Sequence, residues 1–380
     1  MEKRIQKIFT FFFIMFFCLI GFITIINFHI KTNDDSKINI EESFTNSIPS
    51  KLKRINLFPR YCWNKLLNKR FYFENSAYIT DDKNIINGSF KEGDTTFALD
   101  NIKKLNEYAK KNKINFIYFI LPGKPLYDEE LTNMNIACYR NKSADNFIKQ
   151  LKDNNIDYVD LRENFRQSKE NPYDWFYKTD HHWNSDAGLE AARIITDNLN
   201  NKYKMKLNSE NLKPNKFERK VYKNHWLGET GKKLYASPLE KEDFITNIPN
   251  YKTNLIFQDE EKKERKKGDF SILLNEDRLK DDNIFRDGSL YYYYSIYNST
   301  IYNIENLNNK KGNILYIKDS YSSVVIPFLA LTSSKITAWD SRSGSNLYNY
   351  LNTHNKYDTI IVAYTISTIP QYEMNDFKIK

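Results

Sequence analysis

From Ile8 to Ile26 the chain runs 19 residues without a charge, rich in Phe and Ile, with Lys3, Arg4 and Lys7 before it and Lys31 after it. At about 1.5 Å per helical residue this run spans about 28 Å, close to the ~30 Å hydrocarbon core of a bilayer. The basic flank predicts a cytoplasmic N-terminus and a single-pass anchor in the plasma membrane. A cleaved secretory signal is the alternative, but the run is longer than an ordinary signal core and no Ala-x-Ala-like site follows it. On either reading the chain beyond about residue 35 lies outside the cytoplasm. Residues 31–58 turn polar and irregular, which suits a tether.

Beyond the tether the pattern changes to short alternating elements. Leu99, Ile102, Leu105 and Tyr108 recur at helical spacing and predict a helix over 99–111. The stretch "INFIYFILPGK" holds a continuous apolar run, Ile114 to Leu121, stopped by Pro122 and Gly123. Apolar on both faces, it predicts a buried parallel strand. A helix over 144–154, the strand "DYVDL" at 157–161 and a helix over 186–199 follow. The same grammar returns near the C-terminus: a strand over 313–317, a tight turn, a helix over 323–332, the strand "KITAWD", a helix over 345–352 and the apolar strand "DTIIVAYT".

Strands alternating with helices predict an α/β fold, a mostly parallel sheet flanked by helices. The expected division is a cytoplasmic tip and anchor over 1–30, a tether and lead-in over 31–90, and a domain over 91–380 with an inserted region at 203–311. Within that region the charge run "DEEKKERKKGD", 259–269, reads as a solvated loop. Tyr291 to Tyr294 form an aromatic cluster that could stack on sugar rings or fill the core.

Composition changes this picture little. Apolar residues make up 41% of the 380, enough for a sizeable core. Lys and Arg exceed Asp and Glu by 57 − 48 = 9, but acidic residues are interleaved throughout, so no basic patch points to nucleic acid. Of three cysteines, Cys18 sits inside the membrane run, leaving Cys62 and Cys138 as the only pair in the exported part, where a disulfide could persist.

Three polar clusters fall at the carboxyl ends of predicted strands, where α/β sheets gather their ligand and catalytic groups. They are "LPGK", "KTDHHWN" and "KDSYSS". A serine hydroxyl needs a base to take its proton, and a histidine held by a carboxylate is the usual one. Ser320 sits at a strand-to-helix turn. Asp180 and His182 are two positions apart, so in an extended segment they share a face, with His181 pointing the opposite way as a packing or substrate-contacting residue. Trp183 would wall the site or pin its loop. Ser322 and Ser323 compete with Ser320 as nucleophile, and Asp319 reads equally as a cap.

The string "TDHHWNSDAG" resembles the signature of the DHHW proteins, which are related to the SGNH-hydrolase-like proteins of polysaccharide O-acetylation, the AlgJ and AlgX type. The similarity runs from about residue 95 to the C-terminus, with "ILPGKPLY" and "YDTIIVAYT" also matching. It implies an SGNH-hydrolase-like, flavodoxin-like sheet and a catalytic triad of Ser320, His182 and Asp180. The order Asp, His, Ser follows the alginate-type relatives rather than ordinary SGNH hydrolases. The glycine and asparagine of an ordinary SGNH oxyanion hole have no assignable counterpart. Asn184, Gly228 and Arg342 are the candidates, with His181, Trp183, Lys124 and Tyr321 as further substrate contacts.

The leading expectation is therefore a membrane-anchored, extracytoplasmic serine esterase or O-acetyltransferase acting on a cell-envelope or secreted polysaccharide. It requires no cofactor and no metal. Transfer would need acetyl groups from a membrane-bound donor protein. Two alternatives compete with it. One is a non-catalytic carbohydrate-binding or scaffold protein of the envelope. The other is a metal-dependent phosphoesterase using Asp180, His181, His182 and His225.

Overall fold

The computed structural model describes Met15, residues 72–73 and 77–80, and residues 84–377 apart from 90, 133–136, 235–240, 281–289, 295–298 and 355. The apolar run Ile8–Ile26, Met15 apart, and Cys62 lie outside the described residues. Among those described, no helix is long and apolar enough to cross a membrane.

The continuous apolar runs form the middle of an eight-stranded sheet. Its strands are β1 (Asn115–Leu121), β2 (Tyr158–Asp160), β3 (Leu255–Asp259), β4 (Arg265–Gly268), β5 (Ile301–Asn306), β6 (Asn313–Lys318), β7 (Lys335–Asp340) and β8 (Thr359–Thr365). They lie in the order β2-β1-β8-β6-β7-β5-β3-β4. The first five are parallel, with Tyr316 facing Ile361 and Val362 facing Tyr118; the last three are antiparallel.

Alternation along the central strands explains why they read as unbroken apolar runs. Ile117, Phe119, Tyr316 and Ile361 face one side of the sheet, against Ala187, Ala191 and Ile195 of helix α3 (Ser185–Tyr203) and Val325 to Ala330 of helix α4 (Val325–Ala330). Phe116, Tyr118, Leu315 and Val362 face the other, against Ile102 and Leu105 of α1 (Thr96–Lys111), Phe147 and Leu151 of α2 (Arg140–Asp153), and Leu347 and Leu351 of α5 (Leu347–Thr353). Both faces are covered, so the interiors of the central strands β1, β6 and β8 are built of apolar and aromatic residues.

The region 203–311 departs from expectation. The charge run is mostly exposed, apart from the fully buried Asp259, but it is no loop: it ends β3 and forms the turn and second strand of the β3–β4 hairpin on the sheet edge. Arg265, Lys266 and Lys267 along the outer strand leave the edge solvated and unattractive to further strands, which is why charge and strand coexist there. Another part of the region, Phe217–Trp226 paired with Glu242–Pro249, makes a separate antiparallel hairpin beside α3.

Candidate active site

The three predicted clusters meet at the carboxyl ends of the parallel strands. After β6, Asp319 caps a 3₁₀ turn, Ser320–Ser323, by accepting the Tyr321 N–H at 3.0 Å. Its other oxygen takes the Thr365 N–H at 2.8 Å and the hydroxyls of Thr365 and Thr368 at 3.0 and 2.9 Å, tying the turn to the end of β8. The capping reading of Asp319 thus describes its place. Ser320 opens the turn half-buried, whereas Ser322 and Ser323 are fully buried.

The histidine loop is closed by a bridge between Phe176 and Trp183, and Asn184 caps α3 by accepting the Ala187 N–H at 3.1 Å. Its middle is bent rather than extended. Asp180 Oδ1 accepts the backbone N–H of His182 at 3.0 Å, curling the segment, and the same oxygen lies 2.6 Å from His182 Nδ1. His182 Nε2 is 2.9 Å from Ser320 Oγ. Because Nδ1 faces a carboxylate it carries the hydrogen, leaving Nε2 to accept from the serine.

The bend also corrects the orientation of His181. It does not point away: its ring centroid is 3.8 Å from that of His182, and its Nδ1 is 3.4 Å from Asp180 Oδ1. Burial alone would raise the Asp180 carboxyl, but His182, His181 and the hydrogen bonds hold it well below its ordinary value. The surrounding protein and the adjoining His182 push His181, whose side chain is 45% exposed, below its ordinary value, which favours the neutral ring at pH 7.

Asp180, His181 and His182 offer three ligand atoms within 4.8 Å of one another, a grouping that could hold a metal ion. The fourth residue of the expected metal set is elsewhere, with His225 Nε2 at 3.1 Å from the Leu279 carbonyl.

The other predicted contacts hold the loops together. Trp183, fully buried, donates its indole N–H to the Tyr321 carbonyl at 2.9 Å, and the Tyr321 hydroxyl donates to the His181 carbonyl. Lys124 is buried and donates to the carbonyls of Tyr177 and Lys178 at 2.7 and 3.3 Å. The Asn184 amide donates to the Asp174 carbonyl at 2.8 Å, and the Gly228 N–H to Thr179 Oγ1 at 2.8 Å. Arg342 forks onto Asp340, which Lys318 also approaches at 3.1 Å. Asn184, Gly228 and Arg342 thus direct these N–H groups to partners inside the protein, not to an oxyanion. Gly228 matters for another reason: a Cβ there would sit 2.5 Å from Asp180 Cβ and 2.6 Å from the Thr179 carbonyl oxygen.

Tyr291, one of the four tyrosines of the run 291–294, also belongs to the site. Its ring stacks on His182 at 3.8 Å and 10°, and its hydroxyl donates to the Tyr321 carbonyl at 2.6 Å. The tyrosine run was visible in sequence; nothing in it distinguished the member that meets the imidazole. A cavity of about 560 Å³ lies beside the loop, lined by Asn171, Tyr173, Lys178, Thr179 and Glu242 among others, but not by Ser320 or His182. Cys138 is a free, buried thiol that donates to Asp128 Oδ1 at 3.2 Å, and burial pushes it up to about 11.

Residues 83–251 match the sequence model of the family described as SGNH hydrolase-like domain, acetyltransferase AlgX. The match includes Asp180 and His182 and ends before Ser320. A comparison with curated proteins gives no match. Among solved structures, Bacillus cereus PatB1 is 19% identical, with a TM-score of 0.63 over 81% of this chain and 100% of that one. The same protein with a sulfonyl adduct is also 19% identical, with a TM-score of 0.62 over 78% and 98%. A DHHW family protein from Eubacterium siraeum is 15% identical, with a TM-score of 0.56 over 81% and 96%. At these identities the structures speak for the fold. Motif, family model and fold agree: residues 83–251 are similar to the SGNH hydrolase-like domain of the AlgX type, and the fold is similar to that of PatB1 and of a DHHW family protein.

Proposed function

We propose that this protein is a membrane-anchored, extracytoplasmic serine esterase or O-acetyltransferase acting on a cell-envelope or secreted polysaccharide, with Ser320 as nucleophile, His182 as base and Asp180 as its orienting acid. One observation carries the reading: a serine, an imidazole and a buried carboxylate in line, at 2.9 and 2.6 Å. The description of the matching family as an acetyltransferase supports acetyl as the group carried.

In the first half-reaction the Ser320 oxygen attacks an acetyl ester carbonyl while its proton passes to His182 Nε2; the proton then goes to the leaving alcohol. Asp180 stabilises the imidazolium formed in between. The Ser320 N–H, first of its turn and without a hydrogen-bond partner among the described residues, is the donor placed to meet the developing oxyanion. In the second half-reaction water or a sugar hydroxyl takes the acetyl group. If a sugar takes it, a membrane-bound partner supplies the acetyl donor.

The test is turnover of a chromogenic acetate by wild type and Ser320→Ala, together with mass-spectrometric mapping of a sulfonyl fluoride label. The expected result is turnover and a label on Ser320, both lost in the variant, with folding intact by circular dichroism. A wild type that neither turns over nor labels would return the protein to the binding or scaffold reading.

A further inference from the structure

We infer that Glu242 is a positioning residue for the Asp180–His182 pair, a role that rests on the reading of this site as a serine acyl-transfer centre. Nothing in the sequence marks it. It lies 60 residues beyond the histidine motif, in an ordinary charged stretch, "LEKEDF".

The argument begins with two backbone amides. Lys178 and Thr179 precede the catalytic acid in a bent segment that belongs to no strand or helix, so no ladder supplies acceptors for their N–H groups. Glu242 supplies both. One oxygen accepts the Lys178 N–H at 2.6 Å and the other the Thr179 N–H at 2.8 Å, and the Thr179 hydroxyl donates to the carboxylate as well. Charge-assisted bonds to backbone N–H groups are short and about twice as strong as neutral ones.

The loop is gripped from a second side. Thr179 Oγ1 accepts the Gly228 N–H at 2.8 Å, the Thr179 carbonyl accepts the Gly231 N–H at 2.8 Å, and Asp180 Oδ2 accepts the Glu229 N–H at 2.7 Å. These two halves share one support. Trp226 pairs with Glu242 across the hairpin Phe217–Trp226/Glu242–Pro249, so the amides of 228–231 follow one strand and the carboxylate opens the other. The hairpin thus carries a two-sided clamp on residues 178–180. Asp180 Oδ2 is fixed by it, and Oδ1 is thereby aimed at His182 Nδ1 at 2.6 Å. A rotation of the 178–180 backbone would move the Asp180–His182 hydrogen bond, and with it the imidazole that meets Ser320 Oγ at 2.9 Å.

The consequence is kinetic. A displacement of about 1 Å in a catalytic group costs about 100-fold in rate without changing what the substrate touches. In the full-length protein, Glu242→Ala and Glu242→Gln should each lower kcat for a chromogenic acetate about 10- to 100-fold, with KM within about two-fold of wild type. The glutamine keeps the volume but has one acceptor oxygen and a donor amide facing the two N–H groups, so it tests the carboxylate in a chain that folds.

A second readout does not need activity. The His182 Nδ1 proton, hydrogen-bonded to Asp180, should give a low-field proton resonance in wild type and in Ser320→Ala, and that resonance should shift or broaden away in the Glu242 variants. A folded Glu242→Gln variant with wild-type kcat and an unmoved resonance overturns the proposal, as does one that loses only melting temperature. Should wild type fail to turn over the acetate, the acyl-transfer reading is what falls, and the resonance still decides whether Glu242 positions the pair.

Discussion

Asp180 is fully buried and yet ionised, because two imidazoles and two backbone N–H groups surround it. Its carboxyl is held below the unfolded value of about 3.9, so it contributes stability above that pH and loses it as the pH falls through the folded value. Asp180→Asn should therefore lower stability at neutral pH and flatten the acid limb of the stability curve below about pH 4, read as urea midpoints across pH. If the site is catalytic, the same change should lower kcat about 10⁴-fold, since an amide no longer enforces the tautomer that leaves Nε2 free. The Asp-x-His spacing was legible in the sequence, but the expected reason, a shared face of an extended segment, is not the one found. An aspartate bonding the N–H two residues on makes a turn, and that turn, together with the Tyr291 stack, aims the imidazole.

Among the elements, α3 and the turn that follows β6 are the pair that bring the histidine loop and the serine together. They touch at Gly188, where a Cβ would lie 2.6 Å from Val324 Cγ1 and 3.0 Å from the Val324 carbonyl oxygen. On an exposed helix Gly→Ala gains about 1 kcal/mol. Here the sign reverses: Gly188→Ala should cost about 1–3 kcal/mol by overpacking, measured by chemical denaturation. Val324 directly follows the Ser320–Ser323 turn, so kcat should fall with it. The helices and parallel strands were readable because their periodicity is local, each residue facing core or solvent by its own position. The β3–β4 hairpin was not, because nothing local separates a charged edge strand from a charged loop; the pairing of β4 with β3 decides it.

For the whole molecule, the expected anchor and the described domain make separable claims. Residues 72–233 and 239–380 form one compact unit with its own two-faced core. Deleting residues 1–30 should therefore move the protein from the membrane fraction to the soluble fraction with acetate turnover retained; a full-length chain found free of membranes would remove the anchor from the proposal. The fold class was legible at this scale, since alternating apolar runs leave few ways to cover both faces of a sheet.

What the sequence determined by itself was what depends on neighbours along the chain: the strand and helix pattern, the uncharged run at the N-terminus, and the presence of Asp180, His182 and Ser320 beyond strand ends. Tertiary structure alone decided which groups spend their hydrogen bonds on one another. Asn184, Gly228 and Arg342, read from the sequence as donors for a substrate, each give an N–H to a partner within the protein, while Tyr291, 109 positions from His182, stacks on it and Glu242, 60 positions away, holds the loop that precedes it. A hydrogen bond is settled by distance in space, and the folded backbone sets that distance between residues whose order along the chain says nothing of it.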